Sequence, residues 1–165
     1  MPLSDEVLSA QILIIDDQQV NARLLEETLR KAGFKNITCV NDPRDVQAIY
    51  TAMKPHAVVL DIDMPYLDGF QIISQLKKIE GDDYLPVLML TQMGDNDLRF
   101  LALESGAKDY LNKPFDHFEV LLRVRNVLEA HLSHDRLREE NKKLKEELQR
   151  LKRNSKENSD IRLKS

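Results

Sequence analysis

Five short apolar segments, each followed by a stretch of helical period, constrain the fold of this chain more than any other feature. The five segments are residues 11–15, 37–40, 57–60, 86–90 and, much the weakest, 108–111. In the stretch 20–32, apolar side chains such as Val20, Leu24 and Leu25 recur at helical spacing, and the pattern stops at Gly33. Strands that alternate with helices form a parallel sheet, and near-continuous apolar strands are buried on both faces. The pattern therefore predicts a doubly wound α/β domain with five parallel strands and helices on both faces of the sheet.

Length and composition exclude several classes of protein. The 165 residues suit one domain of ordinary size with some chain left over, and 42% of them are hydrophobic, which is enough for a core. No apolar run is long enough to span a membrane, and the acidic residues near the N-terminus are unlike a secretory signal. Cys39 is the single cysteine, so an internal disulfide is excluded. We therefore expect a cytoplasmic protein without membrane insertion.

Charge is distributed unevenly along the chain. From residue 131 onward, 11 lysines and arginines stand against 7 aspartates and glutamates, whereas the preceding part carries a net charge of −8. Mixed charges at helical spacing are typical of a solvated helix face or a coiled coil, and not of a nucleic-acid-binding patch. The sequence therefore predicts no direct contact with nucleic acid, and it indicates that acidic residues are concentrated in the globular part.

Distinctive polar residues mark the carboxyl ends of the apolar segments. Asp16 and Asp17 follow the first segment, Asp61 the third and Thr91 the fourth, and Lys113 lies just after the fifth. Because the carboxyl ends of parallel strands meet at one edge of a sheet, we expect these side chains to converge. Three carboxylates in one place repel one another unless a cation, a lysine or a proton compensates their charge. Oxygen ligands favour Mg²⁺, and the whole set indicates phosphoryl transfer, in which a carboxylate can itself be the nucleophile.

In this order, each at its expected strand end, these residues make the chain resemble the response-regulator receiver (CheY-like) domains of two-component signalling. The resemblance covers roughly residues 10–130. It rests on Asp16-Asp17, on Asp61 with Met64-Pro65 and Asp68-Gly69, on Thr91, on the run from Gly106 to Tyr110, and on Lys113-Pro114. It implies a flavodoxin-like fold with strand order 2-1-3-4-5, and the helical pattern after Phe115 adds an extended C-terminal helix.

The resemblance also implies what the residues of the site do. Asp61 would accept a phosphoryl group from a phosphohistidine on a sensor histidine kinase or a phosphotransfer protein. Asp17 and Asp61 would hold Mg²⁺ by their side chains, Asp16 mostly through water, and Asp63 through its backbone carbonyl. The chain would then be a signalling phosphoacceptor and not an enzyme, with no chemistry beyond its own phosphorylation and dephosphorylation.

The same resemblance assigns a switching role to Thr91 and Tyr110. Lys113 and Thr91 would contact the phosphoryl oxygens, and the Lys113–Pro114 peptide bond would be cis. Thr91 would move inward on phosphorylation, and Tyr110 would turn in behind it. The predicted function is thus a phosphoacceptor receiver that switches either a dimer of this chain or a downstream effector.

A heptad pattern continues far beyond the part of the chain that the domain needs. The a positions hold Val127, His134, Asn141 and Leu148, and the d positions hold Ala130, Leu137, Leu144 and Leu151. Asparagine at an a position favours a two-stranded parallel coiled coil. We therefore predict a parallel homodimer through Leu137, Asn141, Leu144, Leu148 and Leu151, with a single solvated helix as the alternative. The predicted division is a receiver domain over residues 1–126, a coiled-coil extension over 127–152 and a disordered tail over 153–165.

The sequence alone leaves three other functions possible. The run from Phe115 to Asn141 resembles the linker of receivers that precede cyclic-dinucleotide enzymes, so the chain could be the receiver fragment of a longer response regulator. Asp61-Ile62-Asp63 resembles the DxD motif of haloacid-dehalogenase-like phosphatases, although that motif normally sits at the first strand. A phosphorylation-independent scaffold would keep the dimer and would not use Asp61.

Overall fold

The computed structural model of the chain describes residues 2–92 and 96–164, and it divides into two units, one ending at His131 and the other beginning at Leu132. The strands are β1 (Gln11–Ile15), β2 (Asn36–Val40), β3 (Ala57–Asp61), β4 (Val87–Gln92) and β5 (Asp109–Lys113). The helices are α1 (Asp5–Leu8), α2 (Gln19–Lys31), α3 (Val46–Met53), α4 (Gly69–Glu80), α5 (Asn96–Glu104) and α6 (His117–Lys164). A short 3-10 turn, Pro43–Asp45, precedes α3.

The five strands of the first unit form one parallel sheet in the order β2-β1-β3-β4-β5. This confirms the predicted flavodoxin-like order. The last three strands continue past their apolar runs, because backbone pairing extends to Asp61↔Leu90, Thr91↔Asn112 and Gln92↔Lys113. Thr91 therefore lies within β4, and Lys113 ends β5 instead of following it. Asp61, Thr91, Tyr110 and Lys113 thus belong to the sheet, and Asp16 and Asp17 directly follow β1.

Position in the sheet decides which strands are buried. The central strands β1 and β3 are buried almost throughout, whereas the edge strands β2 and β5 mix buried and partly exposed residues. This is the burial that a sheet covered on both faces requires. Helix α2 packs Leu25 and Leu29 inward, but Val20 and Leu24 are exposed, although the helical period also includes them.

Helix α6 runs without interruption from His117 to Lys164, a span that contains neither glycine nor proline. Val120, Val124, Val127 and Leu128 are buried at helical spacing within the first unit. The first unit therefore extends to His131, past the boundary predicted at residue 126. Val127, which the heptad pattern places at an a position, belongs to the buried face of the first unit.

The second unit consists of the remainder of α6. From Arg136 to Lys164 every side chain is exposed. The segment predicted as a disordered tail, residues 153–165, is helical as far as Lys164, while Ser165 lies outside the described residues. The lack of helix-breaking residues accounts for this difference. Among the described helices, none has the combination of length and apolar character that crossing a bilayer requires.

Candidate functional site

The three aspartates predicted to converge meet at the carboxyl ends of β1 and β3. Asp16 and Asp17 directly follow β1, and Asp61 is the last residue of β3. Each contributes a carboxylate oxygen to a group whose members all lie within 4.8 Å of one another. Asp16 is 0% and Asp61 3% exposed, and Asp17 is half-buried. The three acidic groups are thus held together largely away from bulk water, which strengthens their mutual repulsion.

Lys113 brings a positive charge to this cluster. Its Nζ lies 2.9 Å from Asp61 Oδ1 and 3.7 Å from Asp16 Oδ2. The Lys113–Pro114 peptide bond is cis, as the resemblance implies. One lysine facing three carboxylates leaves an excess of negative charge, which a divalent cation would balance.

Burial changes the acidity of the two innermost aspartates. Desolvation raises the pKa of Asp61 to about 6; the hydrogen bond from Lys113 opposes this shift, and the charge of Asp16 adds to it. Desolvation also raises the pKa of Asp16, against a hydrogen bond of 2.9 Å from the Gln18 N–H. Both carboxyl groups therefore ionise less readily than exposed ones until another positive charge approaches.

The chemistry of the cluster fits a magnesium ion. Asp16 Oδ2 and Asp17 Oδ1 are buried, and neither accepts a hydrogen bond from any residue that the structure describes. Buried carboxylate oxygens that accept no hydrogen bond are unfavourable, and they are the ligands that a hard cation prefers. Asp63 adjoins the cluster, because its backbone N–H lowers the pKa of Asp61 while its side chain is exposed. Coordination by the Asp63 carbonyl stays a prediction.

The loop between β3 and α4 closes tightly behind Asp61. The Asp68 carboxylate accepts a hydrogen bond from the Gln71 N–H, and the Gln71 side chain accepts one from the Asp68 N–H, each at 2.9 Å. The N–H of Gly69 donates to the Ile62 carbonyl at 2.9 Å. A Cβ atom at position 69 would lie 2.7 Å from the Asp61 carbonyl oxygen, so only glycine fits there. This packing fixes the backbone that carries the Asp61 carboxylate.

The two predicted switch residues lie on β4 and β5. Thr91 is 1% exposed, and its hydroxyl donates a hydrogen bond of 2.9 Å to Asn112 Oδ1. Tyr110 is half-buried, and the guanidinium carbons of Arg99 and Arg123 lie 5.5 and 5.8 Å from its ring centroid. Asn112 was not among the residues predicted from the sequence, although its position next to Lys113 is a signal that could have identified it.

Magnesium affinity is expected to weaken at low pH. Because Mg²⁺ binds the ionised carboxylate, a pKa of about 6 at Asp61 lets protons compete with the metal below that pH. One pH unit below the pKa, the apparent dissociation constant should be about tenfold larger than at neutral pH. Mg²⁺ titrations followed by NMR across this range measure the effect, and the exposed substitution Asp63→Asn should leave the pH dependence unchanged. A dissociation constant that does not vary with pH would contradict the raised pKa.

Residues 12–125 match the family model described as the response regulator receiver domain. The chain is 35% identical over 132 residues to the response regulator PleD of Caulobacter vibrioides, an alignment that covers 80% of this chain and 29% of PleD. It is 38% identical over 122 residues to the transcriptional regulatory protein PrrA of Mycobacterium tuberculosis, covering 74% of this chain and 51% of PrrA. The chain thus spans about half the length of such curated relatives, or less.

Solved structures resemble the α/β unit in fold. A response regulator receiver domain protein of Clostridium thermocellum matches with a TM-score of 0.67 and 28% identity, over 73% of this chain and 95% of the other. The receiver domain of the Francisella response regulator 1452 matches with a TM-score of 0.68 and 26% identity, over 74% and 98%. The sequence and structural matches therefore agree on the same part of the chain.

Proposed function

Because the chain belongs to the response regulator receiver family, we propose that Asp61 accepts, in the cytoplasm, a phosphoryl group from a phosphohistidine on a sensor histidine kinase or a phosphotransfer protein. The observation that carries this proposal is the buried Asp61 carboxylate, 2.9 Å from Lys113 Nζ and grouped with oxygens of Asp16 and Asp17 that accept no hydrogen bond from the described residues. A nucleophile, a positive charge and a set of metal ligands are what transfer of a phosphoryl group to a carboxylate requires.

In the proposed reaction an oxygen of Asp61 attacks phosphorus while the P–N bond to the imidazole of the donor breaks. The imidazole leaves with the electron pair, and an acyl phosphate remains on Asp61. Lys113 Nζ, already beside Asp61 Oδ1, would donate hydrogen bonds to the phosphoryl oxygens. Mg²⁺ held by Asp16, Asp17 and Asp61 would neutralise negative charge on those oxygens.

Incubation with Mg²⁺ and the small phosphodonor phosphoramidate tests this proposal. Intact mass spectrometry should show one added phosphoryl group, which hydroxylamine removes as expected for an acyl phosphate. Asp61→Asn should abolish the modification, whereas the matched control Asp63→Asn, two residues away and exposed, should still be modified. Labelling that persists in Asp61→Asn would contradict the assignment. Repeated turnover of a generic phosphate ester would instead favour a phosphatase.

We propose further that the second unit forms a parallel coiled coil with a second copy of this chain. Leu137, Leu144, Leu148 and Leu151 follow the heptad pattern and are each more than half exposed. Leucines repeated at this spacing on a helix favour burial against a like helix. Sedimentation velocity with Mg²⁺, with and without beryllofluoride, tests whether the dimer exists and whether occupation of the Asp61 site controls it. A monomer under both conditions would contradict the dimer.

Asn141→Val is expected to stabilise this dimer and to loosen its choice of oligomeric state. Asn141 occupies an a position, where a buried amide costs on the order of 1 kcal/mol relative to an apolar side chain. Thermal unfolding followed by circular dichroism, together with sedimentation equilibrium, measures both effects. Gln149→Val introduces the same β-branched residue at the outward-facing b position and should not raise stability. Equal effects of the two substitutions would argue against the predicted seam.

A further inference from the structure

The hydroxyl group of Thr91 is already engaged by a partner outside the aspartate cluster. Thr91 and Asn112 are directly paired across the parallel strands β4 and β5. The Thr91 hydroxyl donates to Asn112 Oδ1 at 2.9 Å, and Thr91 is almost fully buried. A threonine hydroxyl carries one proton and can therefore donate only one full hydrogen bond at a time.

A second donor holds the acceptor of this bond in place. Arg99, which lies on α5 and is half-buried, donates from Nε to the same Asn112 Oδ1 at 3.2 Å. With two donors directed at Oδ1, the amide of Asn112 presents its oxygen and not its NH₂ group towards Thr91. The Arg99 guanidinium also lies 5.5 Å from the ring centroid of Tyr110, two residues before Asn112 on the same strand. Arg99 therefore lies beside both Asn112 and Tyr110, the second of the two predicted switch residues.

We infer that Asn112 is a positioning residue that competes with the phosphoryl group for the single hydroxyl proton of Thr91, and that Arg99 keeps Asn112 in its accepting orientation. This inference rests on the proposed function, in which Thr91 donates to a phosphoryl oxygen. For Thr91 to do so, its bond to Asn112 must break. The Arg99–Asn112 pair therefore opposes phosphoryl binding and sets how readily the receiver leaves its unphosphorylated state.

The same contacts link Thr91 to helix α5. When Thr91 releases Asn112, the amide oxygen keeps Arg99 as its donor, so the hydrogen bond between Asn112 and the α5 side chain no longer shares its acceptor with Thr91. The Arg99 guanidinium also lies beside the ring of Tyr110, so the same change would alter the surroundings of that ring. The effect of occupying the Asp61 site would thus be transmitted to α5 through Asn112.

Beryllofluoride, which mimics the phosphoryl group on Asp61, provides the test. In the presence of Mg²⁺, Asn112→Ala should raise beryllofluoride affinity roughly two- to tenfold, because the competing acceptor is gone. Asn112→Asp should lower the affinity, because a charged acceptor holds the Thr91 proton more strongly. Fluorine NMR of the bound species measures both. Asn36→Ala, which removes a strand asparagine whose side chain donates to the Ser9 carbonyl at 2.8 Å, is the matched control and should leave the affinity unchanged.

A Thr91→Ala background separates positioning from a general effect on the fold. If Asn112 acts through the Thr91 hydroxyl, Asn112→Ala should change beryllofluoride affinity in the parent protein and not in Thr91→Ala. An unchanged affinity in the parent, or an equal change in both backgrounds, would overturn the inference and leave the proposed function intact. Failure of the parent protein to bind beryllofluoride, or equal binding by Asp61→Asn, would overturn the proposed function and the inference with it.

Discussion

Asp61→Asn is expected to raise the free energy of unfolding of the metal-free protein near neutral pH by up to about 3 kcal/mol. The pKa of Asp61 rises from an ordinary value of 3.8 to about 6 on folding. Above pH 6 the folded protein must therefore hold an ionised carboxylate that it disfavours, and the ionised group destabilises the fold. Asparagine is of similar size and removes the charge. The residue proposed to carry the function thus reduces the stability of the metal-free protein.

The sign of this effect predicts its pH dependence. As the pH falls from about 6 towards 4, Asp61 becomes protonated in the folded protein, so the advantage of Asp61→Asn should shrink and disappear. Denaturant unfolding of both proteins at several pH values, without metal, measures the difference. Asp63→Asn, which changes an exposed carboxylate, should show little effect. An Asp61→Asn protein that is less stable than the parent at neutral pH would contradict the argument.

Adding Mg²⁺ should reduce the stability advantage of Asp61→Asn over the parent protein. The ion stabilises the parent protein by binding its folded state, and Asp61→Asn lacks one of the proposed ligands. At saturating Mg²⁺ the parent should therefore gain more stability than the variant. An equal gain in both proteins would mean that the ion binds elsewhere.

Gly69→Ala is expected to destabilise the protein by about 3 kcal/mol and to impair phosphorylation of Asp61. The added Cβ would lie 2.7 Å from the Asp61 carbonyl oxygen and 2.8 Å from the Ile62 Cα, and both of these are backbone atoms. Backbone atoms cannot move aside as the end of a flexible side chain can, so the strand end that carries Asp61 must shift. Denaturant unfolding gives the loss of stability, and phosphoramidate labelling gives the effect on the site.

Gly81→Ala provides the control for a glycine replaced without a clash. Gly81 ends α4 with a φ of 63°, and nothing lies within 4 Å of a Cβ placed there. This substitution should cost about 1–3 kcal/mol through backbone strain alone and should leave labelling of Asp61 unchanged. Similar losses of stability and labelling in both variants would show that the contact with Asp61 is not the cause.

Residues at strand ends could be placed from the sequence because topology fixes them. Once five parallel strands were predicted, Asp16, Asp61 and Lys113 had to meet at one edge of the sheet, and the structure confirms this. Which face of a helix is buried was harder to predict from the sequence. Val20 and Leu24 fit the helical period of α2 but are exposed, since a period identifies apolar positions without showing how much of the helix a sheet covers.

The contacts of Asn112 could not be predicted in the same way. Its pairing with Thr91 depends on the register of β4 against β5, and a shift of one residue would turn its side chain to the other face. Its contact with Arg99 depends further on where α5 packs. The short helix α1, capped by Ser4, was also missed, because one turn is too short to show a hydrophobic period.

The continuity of α6 has a thermodynamic consequence for its exposed part. Starting a helix is unfavourable because the first turn fixes several residues for one hydrogen bond, whereas lengthening a helix adds a bond for each residue. Between His117 and His131, burial of Val120, Val124 and Leu128 offsets the cost of starting the helix. Residues 132–164 therefore propagate a helix that the α/β unit has already nucleated. Helicity beyond His131 should accordingly depend on whether that unit is folded.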